Sequence, residues 1–497
     1  MEDLTRLVKL IQKRGNKSNP FVNLQDEKSN ETRLFKLIEQ GEVDTDEEAA
    51  RALYGSNKVD ANYRMLKSRI RKKLLRQLNF IELPKDKFIH SNVQACEVDT
   101  VILEAQILIT ANEYKIAEKV LNQALETAKA DELNKRIVRC LELKQVINSI
   151  IGSDKAFTKT EVELQKYYTL EAKERLAVML YQSASVALKS NMKTRNEWLG
   201  KLPAILQELQ KLWQESSSSS IFNMYNILNI SYLELCGDYS TIAGAVETAE
   251  NLLRDGVIHP GWYNKKYNSF IRVYALLRTK KYDQGLVLAV EYAKLFDPLS
   301  VNWFAFMENY LLLALHARKY ALAGEIMREV MENRFLSIIQ QPAKERWELF
   351  RRHLVLISNA MPAQLQMELP NDVFTQLVEL PKDKAGFNLS LFILNIIDSF
   401  AVQDDFNFEQ QAERIRKYVL KYMRGEKAER PRYFLRLLLL AIHNDLDEVR
   451  TKAASKNLFA KLSNTPAPGD AFAEVEIIPY EHLWETVLSI LRKRTVS

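Results

Sequence analysis

Apolar residues recur every three or four positions along most of the chain, as they do on one face of an α-helix. The pattern is clearest between residues 264 and 336, where two helical hairpins follow one another. In each hairpin a long first helix ends in a basic turn with a tyrosine, and a second helix with small residues on one face follows. The two tyrosines, Tyr282 and Tyr320, are 38 residues apart. This spacing predicts a helical repeat and an all-α chain.

The composition agrees with that prediction. The chain has 497 residues, too many for one compact core, and it contains only 14 glycines and 13 prolines. Both residues are well below their usual shares of about 7% and 5%, so we expect few tight turns. The net charge of +6 is small for this length and does not by itself indicate nucleic acid. No apolar run reaches the roughly 18 residues of a membrane span, and no secretory signal is recognisable, so we expect a soluble, cytoplasmic protein.

The pattern divides the chain into four parts. Residues 1–30 are predicted to form a helix and a polar arm, and residues 31–90 a small three-helix domain with a short hairpin. Residues 97–463 are predicted to form an α-solenoid of helical hairpins. Residues 464–497 are predicted to form a loop and a C-terminal capping helix, since the end of a repeat array needs cover for its apolar side.

The domain at residues 31–90 is marked by local signals. Thr45, followed three residues later by Glu48, is a capping-box pattern that opens the second helix. The third helix is predicted over residues 60–78, and residues 79–90 are predicted to form two short strands.

The third predicted helix is strongly basic. Seven of the thirteen residues from Arg64 to Arg76 are basic and none is acidic. Its apolar residues lie on one stripe, so the charges cover the remaining circumference. One interpretation is that the charged face is solvated or faces an acidic protein. The other is that it binds phosphates, where lysine and arginine displace counterions.

The order of these elements, with the phrase EEAARALYGSNKVDANYRMLKSRIRKKL, resembles the winged helix-turn-helix of bacterial transcriptional activators. The resemblance covers residues 31–90. It implies that the third helix enters the major groove of DNA. The nucleic-acid-binding residues that it implies are Asn62, Arg64, Lys67, Ser68, Arg71 and Lys72.

A second resemblance concerns the hairpins. The run Tyr114, Ala117, Leu121 and Ala124 resembles the second half of a tetratricopeptide repeat, in which small residues let two helices approach closely. The spacings between Tyr239, Tyr282 and Tyr320 are 43 and 38 residues, more than the 34-residue repeat of that family. The hairpins are therefore tetratricopeptide-like rather than regular repeats. The resemblance implies a right-handed superhelix with a concave surface for a protein or peptide partner.

Several aromatic residues between positions 263 and 310 lie at helical spacing. They are either the core of the repeats or the lining of a groove that binds a partner. The candidate partner-binding residues are Tyr263, Tyr267, Tyr274, Trp303 and Tyr310.

The sequence contains no recognisable catalytic, nucleotide-binding or metal-binding motif, so we expect no enzyme activity, no cofactor and no metal. Cys96, Cys140 and Cys236 are far apart and are interpreted as reduced core thiols. The serine run at residues 216–220 is predicted to be an exposed loop, and residues 155–195 are predicted to form two helices.

Two functions follow from these patterns. The first is a non-enzymatic helical-repeat scaffold that binds a protein or peptide. The alternative is a DNA-binding transcriptional regulator that uses the basic helix at residues 60–78, with the repeats as a sensor or partner-binding region. Neither function requires a membrane.

Overall fold

The structure, a computed structural model, describes residues 1–14, 26, 28–56, 58–78, 81, 90–362, 387–401, 407–423, 428–465 and 476–496. Across these residues the chain forms 22 α-helices and no β-sheet, so the all-α prediction is confirmed. The first eight helices are α1 Glu2–Arg14, α2 Asn30–Gln40, α3 Asp46–Tyr54, α4 Ala61–Gln77, α5 His90–Thr110, α6 Tyr114–Ala130, α7 Asn134–Ile151 and α8 Asp154–Leu188.

The next eight helices are α9 Met192–Leu199, α10 Leu202–Ser216, α11 Ser219–Cys236, α12 Tyr239–Arg254, α13 Lys265–Arg278, α14 Tyr282–Ala293, α15 Val301–His316 and α16 Tyr320–Glu332. The last six are α17 Gln341–Ala360, α18 Phe387–Ala401, α19 Phe408–Tyr422, α20 Glu429–His443, α21 Glu448–Asn464 and α22 Tyr480–Val496. Short 3-10 helices lie at Pro260–Trp262 and Arg334–Ser337.

One stretch differs from the sequence prediction. Residues 155–195 were expected to form two helices, but α8 runs unbroken for 35 residues and the next helix begins at Met192. No glycine or proline lies within α8, so nothing in its sequence forces a break. The short strands predicted for residues 79–90 lie outside the described residues, apart from Ile81 and His90.

The chain folds into two compact units. Unit 1 comprises Met1–Val178, Leu212–Ile221 and Ile258–Tyr263, and unit 2 comprises Met179–Lys211, Phe222–Val257 and Asn264–Ser497.

Unit 1 begins with the four helices α1 to α4, which share one core. Helix α4 packs against α1 and α2, and α3 packs against α2. Residues 1–30 were predicted to form a helix and a polar arm, and the apolar stripe of α1 is buried in the same core as Leu34, Tyr63 and Ile70. The N-terminal helix therefore belongs to the same folded body. The Thr45 capping box is confirmed, since the Thr45 side chain accepts from Glu48 N at 3.2 Å and Glu48 Oε2 accepts from Thr45 N at 3.0 Å.

A second core of unit 1 joins α5, α6 and α7. Small residues on α6, Ala117 and Ala124 among them, are fully buried and let the neighbouring helices approach. Helix α5 contacts both α6 and α7, so the first helices of successive hairpins lie side by side.

In unit 2, each helix from α12 to α18 packs against the next one along the chain, which is the packing of an α-solenoid. The last helix, α22, departs from this order because it contacts α17, α18 and α20 as well as its neighbour α21. Its apolar face, which includes Leu483, Trp484 and Val487, is buried in the same core.

The turns within the hairpins share one geometry. The residue two before each turn tyrosine has a positive φ, with values of 63° at Asn112, 73° at Gly237, 61° at Lys280 and 60° at Arg318. The residue after it donates its N–H to the carbonyl five positions earlier, as in a Schellman motif, at 2.8 to 2.9 Å. The recurring tyrosine therefore marks a recurring turn, which explains the pattern in the sequence.

Candidate functional site

Helix α4 is the basic helix that the sequence pattern predicts. The Asp60 side chain caps its start by accepting from Tyr63 N at 2.8 Å. One face is fully buried through Tyr63, Leu66, Ile70 and Leu74. The opposite face is exposed to solvent and contains no acidic residue.

Three of the seven basic residues on α4 are held by carboxylates of the same unit. Lys67 Nζ lies 2.8 and 2.9 Å from the two Asp46 oxygens. Lys73 donates to Glu31, and Arg69 lies 3.6 Å from the same carboxylate. These pairs fix α4 against α2 and α3, so the three residues serve the packing of the domain.

The Asp46 carboxylate is a local anchor for two helices. It accepts from the Tyr63 hydroxyl at 2.8 Å as well as from Lys67. Partial burial raises the pKa of Asp46, but the hydrogen bonds from Lys67 and Tyr63 outweigh it and hold that pKa below its ordinary value. The charged form of the anchor is therefore favoured in the folded state.

The other four basic residues, Arg64, Arg71, Lys72 and Arg76, lie on the exposed face and have no ion pair with any described residue. Arg64, Ser68 and Arg71 follow one another at i, i+4 and i+7, so they form one row along the helix. Lys72 and Arg76, which are four residues apart, form a second row beside the first. The arrangement is a strip of positive charge of about three helical turns.

Of the six predicted nucleic-acid-binding residues, four lie on the strip: Arg64, Ser68, Arg71 and Lys72. At 100° per residue, Asn62 lies about 160° round the helix from Arg64, so it is exposed on a different side. Asn62, Arg64, Ser68, Arg71 and Lys72 are exposed, whereas Lys67 is half-buried and paired with Asp46. Arg76 was not among the predicted residues but belongs to the face, and it could have been found by counting one further helical turn from Lys72.

The five predicted partner-binding aromatic residues do not form a surface. Trp303 and Tyr310 are buried in the core of unit 2, and Tyr263 is buried in unit 1. Tyr267 and Tyr274 on α13 are half-buried. The repeat-core interpretation therefore holds for the buried residues, because large aromatic side chains fill the space between hairpins.

Tyr274 packs against other side chains of unit 2. Its ring meets Tyr239 edge-on with centroids 5.6 Å apart, and the Arg278 guanidinium lies 4.7 Å from the Tyr239 ring centre. These aromatic and cation–π contacts stabilise the packing of α12 on α13.

The second half of the serine run is a buried junction, so the prediction of an exposed loop holds only for Ser217, which is exposed. Ser218, Ser219 and Ser220 are all buried where α11 begins. Glu174 Oε1 accepts from Ser218 Oγ at 2.6 Å, from Ser220 Oγ at 2.8 Å and from Asn134 Nδ2 at 2.7 Å. Burial raises the pKa of Glu174 even though these hydrogen bonds act to lower it. No sequence signal marks this cluster, because its members come from segments 40 or more positions apart.

A second buried polar cluster lies in unit 2. The Arg430 guanidinium, 5% exposed, binds both Glu476 and Glu481 through contacts of 2.6 to 3.0 Å. His316 Nε2 lies 2.6 Å from the Glu476 carbonyl, and burial lowers the pKa of His316 to about 4. The imidazole is thus neutral near pH 7 and donates to the carbonyl. This cluster fastens the start of α22 to α15 and α20.

Neither cluster has the composition of a metal site. Within the described part of the chain, no group of three or more His, Cys, Asp or Glu side chains is placed to hold a metal ion. The cysteine interpretation was correct only for Cys140, which is buried and whose pKa burial raises to about 12, since Cys96 and Cys236 are exposed. Both exposed cysteines lie on the solvent side of their helices, which an apolar sequence context alone did not reveal.

The described helices include none that is both long and apolar enough to cross a membrane. Comparison with protein-family models, with curated proteins and with solved structures finds no match to this chain. Among the features described above, the exposed face of α4 is the one whose chemistry indicates a function.

Proposed function

We propose that this chain is a non-enzymatic nucleic-acid-binding protein that contacts duplex DNA through the exposed face of α4. The observation that carries the proposal is the strip formed by Arg64, Arg71, Lys72 and Arg76, which has no internal ion pair among the described residues and no acidic neighbour on its helix. The helix-turn-helix resemblance of residues 31–90 supports it, because the helix it assigns to the groove is this one.

The chemistry of the strip suits a phosphate backbone. Four cations on one face of a helix displace condensed counterions when they approach phosphates, which makes binding favourable at low salt. The guanidinium groups of Arg64, Arg71 and Arg76 can also form two parallel hydrogen bonds with a phosphate or with a guanine edge. Ser68 adds a neutral hydrogen-bonding group on the same face, as base or sugar contacts require.

The paired cations support the proposal in a different way. Lys67, Arg69 and Lys73 satisfy the carboxylates of Asp46 and Glu31, so the acids that α4 contacts are neutralised within the domain. The helix therefore presents positive charge outward without a competing negative field from these two residues. The tetratricopeptide-like hairpins would then be the sensor or partner-binding region. The other function, a scaffold that binds a protein or peptide and no DNA, stays a prediction.

Titration of a labelled duplex of about 30 base pairs with the intact protein tests the proposal. Four phosphate contacts give a slope of about −3.6 in a plot of log affinity against log salt, or roughly a 150-fold loss from about 50 to 200 mM. Changing Arg64, Arg71, Lys72 and Arg76 to Gln should remove most of this slope and most of the binding.

The matched control removes the same charge elsewhere in unit 1. Lys115, Lys119, Lys155 and Lys159 are exposed residues of α6 and α8, and changing them to Gln lowers the net charge equally. This control should bind the duplex nearly as well as the wild type. Equal losses in both variants would show an effect of net charge alone, and no binding at the lowest salt would leave the scaffold as the better explanation.

A further inference from the structure

Helices α5 and α7 share an exposed apolar surface that the nucleic-acid proposal does not use. Leu103 and Ile107 on α5 are 49% and 60% exposed, and Val146 and Ile150 on α7 are 45% and 52% exposed. Each pair is spaced by four residues, so each forms a ridge along its helix. Neighbouring exposed apolar ridges on adjacent helices are typical of a surface that binds another protein.

The two helices lie in a defined register. As first helices of successive hairpins in contact, α5 and α7 run in the same direction. The Arg136 guanidinium binds the Asp99 carboxylate through two contacts of 2.7 and 3.1 Å, which sets these two residues at the same level. The apolar pairs therefore both lie beyond this level, toward the C-terminal ends of the two helices.

The charged residues of the same surface differ between the two helices. All the charged residues of α5 after His90 are acidic, and Glu97 and Glu104 are exposed. The first half of α7 is basic, with Lys135 and Arg139 exposed. Glu142, the acid on α7, lies 3.0 Å from Arg139. The surface is thus acidic along α5, where Glu104 lies between the levels of Leu103 and Ile107, and basic along the first half of α7. At 1.5 Å per residue, Ile107 and Val146 lie at nearly the same level, about 12 and 15 Å beyond the Asp99–Arg136 pair.

We propose that this surface binds a second copy of the chain. A twofold axis parallel to the two helices would place α5 of each copy over α7 of the other, in the same direction. Glu97 and Glu104 would then face Lys135 and Arg139 of the second copy, while Ile107 of each copy would lie close to Val146 of the other. A surface acidic on one helix and basic on its neighbour is complementary to itself under this rotation, which favours a second copy over an unrelated partner.

The size of the surface fits a specific dimer. At 1.5 Å per residue, α5 and α7 are about 32 and 27 Å long. Two helices side by side are about 20 Å wide, so the surface covers about 600 Å², at the lower end of the roughly 600–1,000 Å² per partner that standard interfaces bury. The dimer is independent of the nucleic-acid proposal, since no residue of α4 takes part.

Sedimentation of the full chain tests the inference first. We expect a mass of twice 57.6 kDa at micromolar concentration. The variant Leu103→Glu with Ile107→Glu should raise the dimer dissociation constant at least about 100-fold, because each copy would bury two unpaired carboxylates. The control Val287→Glu with Val290→Glu changes two comparably exposed residues on α14 and should leave the dimer intact. A monomeric wild type, or dissociation by the control alone, would overturn the proposal.

A charge exchange tests the orientation and does not depend on the apolar variant remaining folded. One variant carries Glu97→Lys and Glu104→Lys, and the other carries Lys135→Glu and Arg139→Glu. Each alone places like charges together and should dimerise weakly. An equal mixture restores opposite-charge contacts between the two variants, so a mixed dimer should form more tightly than either variant alone. Failure of the mixture to associate, with both variants folded, would contradict the proposed α5-on-α7 pairing.

Discussion

A methyl group placed on the Cα atom of Gly285 would lie 2.7 Å from Cδ2 and 2.9 Å from Cδ1 of Leu313. Leu313 is fully buried in the core of unit 2, so its side chain has little room to move aside. The absence of a side chain at Gly285 thus allows α14 to approach α15.

This contact predicts opposite effects for two glycine substitutions. At Gly244 on α12, an added methyl group would have no atom within 4 Å, so Gly244→Ala should stabilise the protein by up to about 1 kcal/mol through helix propensity. Gly285→Ala gains the same propensity but overpacks the core. The two variants should therefore differ by about 1–3 kcal/mol in free energy of unfolding, measured by urea denaturation. Equal shifts would show that Leu313 gives way freely.

The shared hairpin turn predicts a stabilising change. Lys280 adopts φ 61°, where a residue with a Cβ is less stable than glycine, and Gly237 occupies the equivalent position of another hairpin. Lys280→Gly should raise the free energy of unfolding by about 0.5–1 kcal/mol. Lys281→Gly is the control, because Lys281 has φ −87° and should gain nothing. A gain in the control that equals the gain at Lys280 would refute the turn argument.

The buried Arg430 cluster predicts a large loss. Arg430→Met leaves the carboxylates of Glu476 and Glu481 without their cation and should cost about 3–5 kcal/mol of unfolding free energy. Arg318→Met breaks the pair with Glu485, in which both side chains are 47% exposed, and should cost about 0–1 kcal/mol.

Removal of the acids tests the reason for that loss. Adding Glu476→Gln and Glu481→Gln to Arg430→Met should recover part of the stability, because the stranded charges are gone. Thermal unfolding of the wild type and the three variants measures both effects. A loss at Arg430 as small as the loss at Arg318 would show that water reaches the cluster.

The Glu174 junction predicts a pH dependence. Burial raises the pKa of Glu174 above its ordinary 4.5, so the folded state favours the protonated form. Its contribution to stability is full below about pH 4.5 and is lost as the pH rises through the folded-state pKa. The difference in unfolding free energy between wild type and Glu174→Gln should therefore fall as the pH rises from about 4. A difference that grows with pH would mean that the hydrogen bonds from Ser218 and Ser220 favour the charged form instead.

Much of the fold and part of the candidate site could be predicted from sequence, because both depend on local order. The helical periodicity, the Thr45 capping box and the recurring turn tyrosines each involve residues that are close in sequence. They can therefore be recognised from the sequence alone. The exposed strip on α4 was predictable for the same reason, since Tyr63, Ile70 and the basic residues take opposite sides of one helix.

Other features depend on contacts between distant residues and were decided only by the tertiary structure. Packing determined that Lys67 pairs with Asp46 and leaves the exposed strip, that Trp303 and Tyr310 are core, and that Ser218 and Ser220 are buried against Glu174. Each outcome depends on which helix faces charges and aromatic rings after folding, and helical periodicity does not encode that choice. The sequence by itself thus determined the helices and their amphipathic faces, whereas the tertiary structure decided which of those faces remain open to a partner.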